Sequence, residues 1–413
     1  LTWSTTGQKE RVKAYTNTDF AAHVQRDWFW YESLRSMTTR YQVGERDDLG
    51  ASDAWMVEGE GWFNNGQIIA TTGDVTQQYA AVTRRPYQQV GAPDAEWTVV
   101  SAGTNNPGGG SYDDHHLRLS YGGASGTVVA DTIFRGYRLH RFDFTMPASD
   151  LSNVSTFIQF TAVHDLFGPG QVGLIDPDYP DRQVAAYLKV KYPHQTHMNN
   201  EDRVHVYLDG SPGEDHAHLF FNGFPGTPIC YVLSTDTVKR IQATADVNNW
   251  RVLLPHAPAG DVHTYLFAQE QIDSVRVLEP VNGTGYFTDH VTLEQDSAVL
   301  LVTHVSLMNE ALQYAAYREN SPRTPAPVLV MDVEELYDQY GGGVPKHPLA
   351  IRRMCDRLLD SWSTRPGALF LLGKSVVTPS VGSVPGSRIA ADSAGYRANL
   401  VPTFGYPPSD PLF

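Results

Sequence analysis

Val299-Leu300-Leu301-Val302-Thr303, Val328-Leu329-Val330-Met331-Asp332-Val333 and Ala368-Leu369-Phe370-Leu371-Leu372-Gly373 are short, almost unbroken apolar runs. Runs of this kind mark strands covered on both faces. Between them lie two helical stretches, Leu307 to Arg318 and Ala350 to Trp362. In the second, Ile351, Met354, Cys355, Leu358, Leu359 and Trp362 fall on one stripe at helical spacing. Pro348 suits the first turn of that helix, and Gly341-Gly342-Gly343 forms a loop ahead of it. A β-α-β-α-β order predicts a parallel sheet with right-handed crossovers, whose ligands gather at the carboxyl ends of the strands.

Working back from this segment, the period changes. Residues 1–165 alternate apolar and polar positions in short runs, such as Thr98-Val99-Val100-Ser101, Leu117-Arg118-Leu119-Ser120-Tyr121 and Arg138 to Phe144. Glycine, asparagine, proline and aspartate separate the runs, as in an antiparallel β-sandwich. A Gly/Pro/Asp-rich connector, Phe167-Gly168-Pro169-Gly170 and Asp176 to Asp181, suggests a boundary. Alternation resumes in Val204 to Leu208, His218 to Phe221 and Trp250 to Leu254, with Asp209-Gly210 as a turn. The expected architecture is therefore multidomain: a β-sandwich over 1–165, a second over 166–285, and part of an α/β domain over 286–413.

The chain has 413 residues and a formal charge of −15, from 31 Lys+Arg against 46 Asp+Glu. An acidic balance argues against nucleic acid or anionic membrane as partner, since both call for basic patches. No run approaches the ~18 apolar residues of a transmembrane helix. The two cysteines, Cys230 and Cys355, fall in different predicted domains, which excludes a thiolate zinc cluster and argues against a disulfide. The opening Leu1-Thr2-Trp3 carries neither initiator Met nor leader, which fits a removed leader or an interior piece of a longer chain; truncation at both ends is the preferred expectation.

The run Asp332-Val333-Glu334-Glu335-Leu336-Tyr337-Asp338-Gln339-Tyr340-Gly341-Gly342-Gly343-Val344-Pro345 resembles the start of the gingipain-type cysteine peptidase domain. So do Pro348 to Arg352, Leu369 to Gly373, Leu300 to His304, Tyr314 to Arg318 and Asn399 to Asp410, an ordered series over about 295 to 413. Upstream, Leu1-Thr2-Trp3 and Glu60-Gly61-Trp62-Phe63 are similar to PorU-like proteins of the type IX secretion system. The resemblance implies a caspase-like α/β fold and a Cys/His dyad attacking peptides through a thiolate. It implies a sortase-like role at the outer membrane of a bacterial cell, outside the cytoplasm. Its implied partners are protein cargo, secretion-complex subunits and the remainder of its own polypeptide. In the family both catalytic residues follow the point reached by Phe413, so no catalytic residue is assigned here.

Candidate residues are weighed on their chemistry. Cys355 lies on the apolar stripe and Cys230 in the strand-like Pro228 to Val232, and both read as core thiols. His304, at the carboxyl end of the first strand, is the histidine best placed for substrate contact. Asp176, Asp178 and Asp181 offer carboxylates for calcium, although their spacing is not that of an EF-hand and a solvated connector is the plainer reading. Asp113-Asp114-His115-His116 and Pro193 to His197 hold metal-capable side chains but read as polar loops beside turns. His216 and His218 share one face if their segment is a strand. Trp28 to Tyr31 and Trp62-Phe63 read as core aromatics rather than a sugar-stacking surface.

Two functions from different classes follow. The first is a secreted or cell-surface gingipain-like peptidase or sortase, of which this segment is the non-catalytic leading part. The second is a pseudo-peptidase scaffold that binds a partner through its β-sandwiches, with a carbohydrate-binding module as a third possibility.

Overall fold

The computed structural model describes residues 13–45, 58–64, 66–106, 112–123, 125–166, 180–209, 213–233, 238–255, 262–272, 280–376 and 393–403. The chain forms two compact units, Leu1–Arg40 with Trp62–Arg276, and Tyr41–Gly61 with Val277–Phe413.

The first unit is built on a ten-stranded sheet. Its long strand Asp181–Gln195 runs antiparallel to Trp28–Ser36 on one side and Ala95–Gly103 on the other. Arg203–Leu208, Val262–Ala268 and Pro228–Leu233 continue the sheet beyond Trp28–Ser36. Two four-stranded sheets supply the opposing faces. One core joins Trp97, Val99, Leu188 and Tyr192 of the large sheet to Leu117, Leu119, Ile158 and Phe160. A second joins Phe29, Val204, Val206 and Leu266 to Leu219, Phe221, Val252 and Leu254. Each large side chain fully buried here is worth about 1.5–3 kcal/mol in transfer free energy.

Two cores thus exist, but one sheet serves both, and Tyr31 packs against each. The separation expected at 166–182 is absent from the sheet itself. Asp181, read as part of the connector, already opens the longest strand, of fifteen residues, whose Ala185, Leu188, Val190 and Tyr192 belong to the first core. The aromatic run fills space as expected: Phe29 is fully buried, and Trp30 is buried with its indole N–H donated to the Asp209 carboxylate. Phe63 is buried beside Ala102 and Val184.

In the second unit a three-stranded parallel sheet places Val299–Thr303 between Val328–Asp332 and Ala368–Leu372. All five residues of the central strand are buried, whereas the flanking strands are only partly covered. That difference is what an unbroken Val/Leu run and two edge strands require. Among the described residues four α-helices accompany the sheet: α1 Met308–Glu319, α2 Val333–Tyr340, α3 Pro348–Ser361 and α4 Ser393–Ala398.

Two details differ from expectation. The second strand stops at Asp332, whose carboxylate accepts a hydrogen bond from the Glu334 N–H at 3.0 Å and so caps α2. Val333 therefore belongs to a helix, not to the strand. On α3, Ile351, Met354, Cys355 and Leu358 are buried, but Leu359 is 52% exposed. It falls one step round the helix from the covered face. Pro348 occupies the first turn as expected, and the His347 ring accepts from the Leu349 N–H at 3.2 Å. Among the described residues no helix is long and apolar enough to cross a membrane.

Candidate functional site

The parallel register sets Thr303 opposite both Asp332 and Leu372, so the three strands end level. Thr303 ties this edge together by donating its hydroxyl to the Leu372 carbonyl at 2.8 Å. His304 follows at once. Its Nδ1 accepts from the Ser306 backbone N–H at 3.1 Å and lies 2.8 Å from the Ser306 hydroxyl, which donates to it. That nitrogen carries no proton, so the ring N–H sits on Nε2, 3.5 Å from the Glu334 carboxylate. Held this way, His304 turns its Nε2–H toward Glu334, while Nδ1 is occupied by the two Ser306 donors.

Beyond the third strand, the Leu400 N–H donates to the Lys374 carbonyl at 2.8 Å and the Val376 N–H to the Asn399 side-chain oxygen at 3.1 Å. Lys346 donates to the Asn399 carbonyl and lies 5.0 Å above the Tyr396 ring. Burial pulls its pKa below the usual lysine value. The edge presents backbone and side-chain hydrogen-bonding groups, and no cysteine among the described residues. Cys355 is buried in the core of this unit and burial raises its thiol to about 11. Cys230 is fully buried in the other unit, and burial raises it further still. Both are free thiols and neither has the electropositive, open setting a reactive thiolate needs.

Residues 292–413 match the model of peptidase family C25. The gingipain family is thus what this segment is similar to, over less than a third of the chain. The C25 match covers the same residues that carry the parallel sheet and its carboxyl edge. Over the whole chain, the structure is similar to dimeric latent PorU from Porphyromonas gingivalis, with a TM-score of 0.56 and 13% identity. That likeness covers 99% of this chain and 35% of PorU, so this chain spans about a third of that protein's length. At such identity the likeness is one of fold. A structure of infectious bursal disease virus, Gx strain, is 11% identical over 57% of this chain and 39% of that one, with a TM-score of 0.20. A Ruminococcus gnavus beta-glucuronidase is 7% identical over 86% and 70%, with a TM-score of 0.19. Scores so low carry no weight for the fold. A comparison with curated protein sequences finds no match.

Outside the C25 segment, the β unit holds a buried histidine pair that the sequence presents as a turn. His115 and His116 begin the strand His115–Tyr121 and are both buried. His115 Nδ1 donates to Asp181 at 2.6 Å and its Nε2 to the Asn105 carbonyl at 3.0 Å. His116 Nδ1 donates to Asp165 at 2.7 Å and its Nε2 to Asp131. Every partner is an acceptor, so each ring uses both nitrogens as donors and is held as imidazolium. Burial works against that charge, but the hydrogen bonds and charges of Asp181 and Asp114 raise His115, and those of Asp165 and Asp131 raise His116.

Asp181, expected as a calcium ligand, faces inward: its oxygens accept from His115, from the His116 N–H at 3.3 Å and from Gln183 at 2.7 Å. Asp176 and Asp178 lie outside the described residues. The paired aspartates were missed because Asp131 and Asp165 reach His116 from other strands and loops, at no recognisable spacing.

Of the other histidines, His194 donates its Nδ1 proton to the Gln195 carbonyl, and burial lowers its pKa to about 4. His197 accepts from the Asn199 N–H at 3.2 Å and forms a parallel β-bridge with Asn222. His216 and His218 do lie on one strand, His216–Phe221, and share the face away from the second core. Sequence reasoning gave no hint of His23 beside them. The β unit also carries an open groove of about 580 Å³ lined by Tyr31, Arg203, Tyr231, Tyr265, Phe267 and Gln271.

Proposed function

We propose that this chain is the β-rich leading part and the first half of the peptidase domain of a gingipain-like cysteine peptidase or sortase of the type IX secretion system, acting at the bacterial cell surface. The observation that carries the reading is the level carboxyl edge of the parallel sheet inside the C25-matching segment. The Cys/His dyad of the full enzyme is proposed to lie outside the described residues. Burial of Cys230 and Cys355 supports this, because neither thiol is placed for attack on a peptide. The flanking strand Ala368–Leu372, paired on one side among the described residues, gives further sheet a place to add. His304 is proposed as a substrate contact through its Nε2–H.

The test is thiol-dependent peptide cleavage or transpeptidation by the full-length gene product in reducing buffer. Activity that alkylation abolishes, with a His304→Ala variant raising KM while kcat holds, is the expected result. A second reading, a binding subunit without catalysis, is favoured by the aromatic groove of the β unit. Stable partner capture with no turnover by the full-length product selects it instead.

A further inference from the structure

Residues 19–26 cross the outer face of the strand His216–Phe221. A 3-10 turn, Phe20–Ala22, leads to His23, and the short strand Gln25–Arg26 then pairs in parallel with His218 and Leu219. Ala217, Leu219 and Phe221 point into the second core, so His216 and His218 present their rings to the other side. There they meet the residues 19–26 segment: His23 and His216 have ring centroids 5.3 Å apart, and Phe20 and His218 5.1 Å.

Asp215 stands between the first two. Its Oδ1 is 3.2 Å from His216 Nδ1 and 3.8 Å from His23 Nδ1. One ligand atom from each of the three residues falls within 4.8 Å of the others. In a tetrahedral zinc site with bonds near 2.0–2.1 Å, neighbouring donors stand about 3.4 Å apart. The two measured separations bracket that value.

A second observation points to a missing ligand. His216 Nδ1 is buried without a hydrogen bond of acceptable geometry, since its approach to Asp215 is short but poorly aligned. His218 is 5% exposed, and neither of its ring nitrogens has a well-aligned partner, the nearby His23 carbonyl included. Buried imidazole nitrogens left unmatched are costly. The His216 nitrogen lies 3.2 Å from the Asp215 carboxylate, which is itself largely in solvent.

We infer that His23, Asp215 and His216 form a binding site for a borderline transition-metal ion of the zinc class, which pins residues 19–26 to the strand His216–Phe221. Two imidazoles and one carboxylate suit zinc, nickel or copper, and nitrogen donors disfavour calcium and magnesium. The ion joins segments remote in sequence, so its binding free energy adds to the stability of this unit.

The experiment is calorimetric titration of the chelator-stripped 413-residue chain with zinc chloride, paired with its melting temperature. One zinc per chain, a rise in Tm, and no competition from millimolar calcium are expected. Asp215→Asn, at a position 81% exposed, and the double variant His23→Gln/His216→Gln weaken binding at least about tenfold. Cobalt(II) loaded in place of zinc gives intense visible absorption of tetrahedral type. Zinc affinity unchanged in both variants, no binding to the parent chain, or only weak octahedral-type cobalt bands overturns the inference.

Discussion

At the scale of residues, the doubly donating histidines set the pH response of the β unit. His115 and His116 hold their protons more tightly folded than unfolded. Their contribution is complete below the unfolded value of about 6.5 and is lost as pH rises through the raised folded values. His194 has the opposite sign: its folded pKa is lowered to about 4, so its contribution holds above ~6.5 and drains away as pH falls toward that value. Urea midpoints measured from pH 4 to 9 are expected to fall at both ends, and His115→Gln with His116→Gln to remove the alkaline fall. An unchanged alkaline limb in that variant counts against the imidazolium assignment. Gly103 belongs to the same site. A Cβ there would strike the Gly136 carbonyl and come within 2.6 Å of His115 Nε2. Gly103→Ala is therefore expected to cost about 1–3 kcal/mol by overpacking, read as a shift in urea midpoint. This chemistry was hidden in the sequence because Asp-Asp-His-His looks like a polar turn. Only the fold brings Asp131, Asp165 and Asp181 to those rings.

Elements were easier to read than side-chain partners. The strands of the α/β segment stand out as unbroken Val/Leu runs, and all three lie within a residue of the expected limits. Helix α2 was overlooked because the apolar run Val328 to Val333 continues past the Asp332 cap without a break. The cap carries a checkable weight: Asp332→Ala leaves the Glu334 N–H without its acceptor and is expected to cost about 0.5–2 kcal/mol. Helix α3 separates burial from periodicity. Leu358→Ala, at a fully buried position, is expected to cost about 2–5 kcal/mol, and Leu359→Ala, on the exposed side, within about 0.5 kcal/mol. Equal losses at the two positions would contradict the facing of α3 described above. In the β unit the alternating runs identified strands well. They carried no information on which sheet each strand joins, so one continuous sheet looked like two sandwiches.

At the scale of the whole molecule, the account rests on the C-terminal segment as the scaffold half of a peptidase sheet. The family was legible there because Asp332 to Pro345 and the ordered runs around it survive as sequence, and the C25 match covers the same stretch. Over the whole chain the likeness to PorU is one of fold at 13% identity, so outside the C25 segment little of it could be read from residues. The most direct measurement is mass-spectrometric mapping of the adduct formed when a peptidyl thiol-reactive probe is added to the native full-length protein. The account predicts modification at a cysteine outside residues 1–413, retained when Cys230 and Cys355 are both changed to alanine. Modification of native Cys230 or Cys355, lost in that double variant, would contradict it.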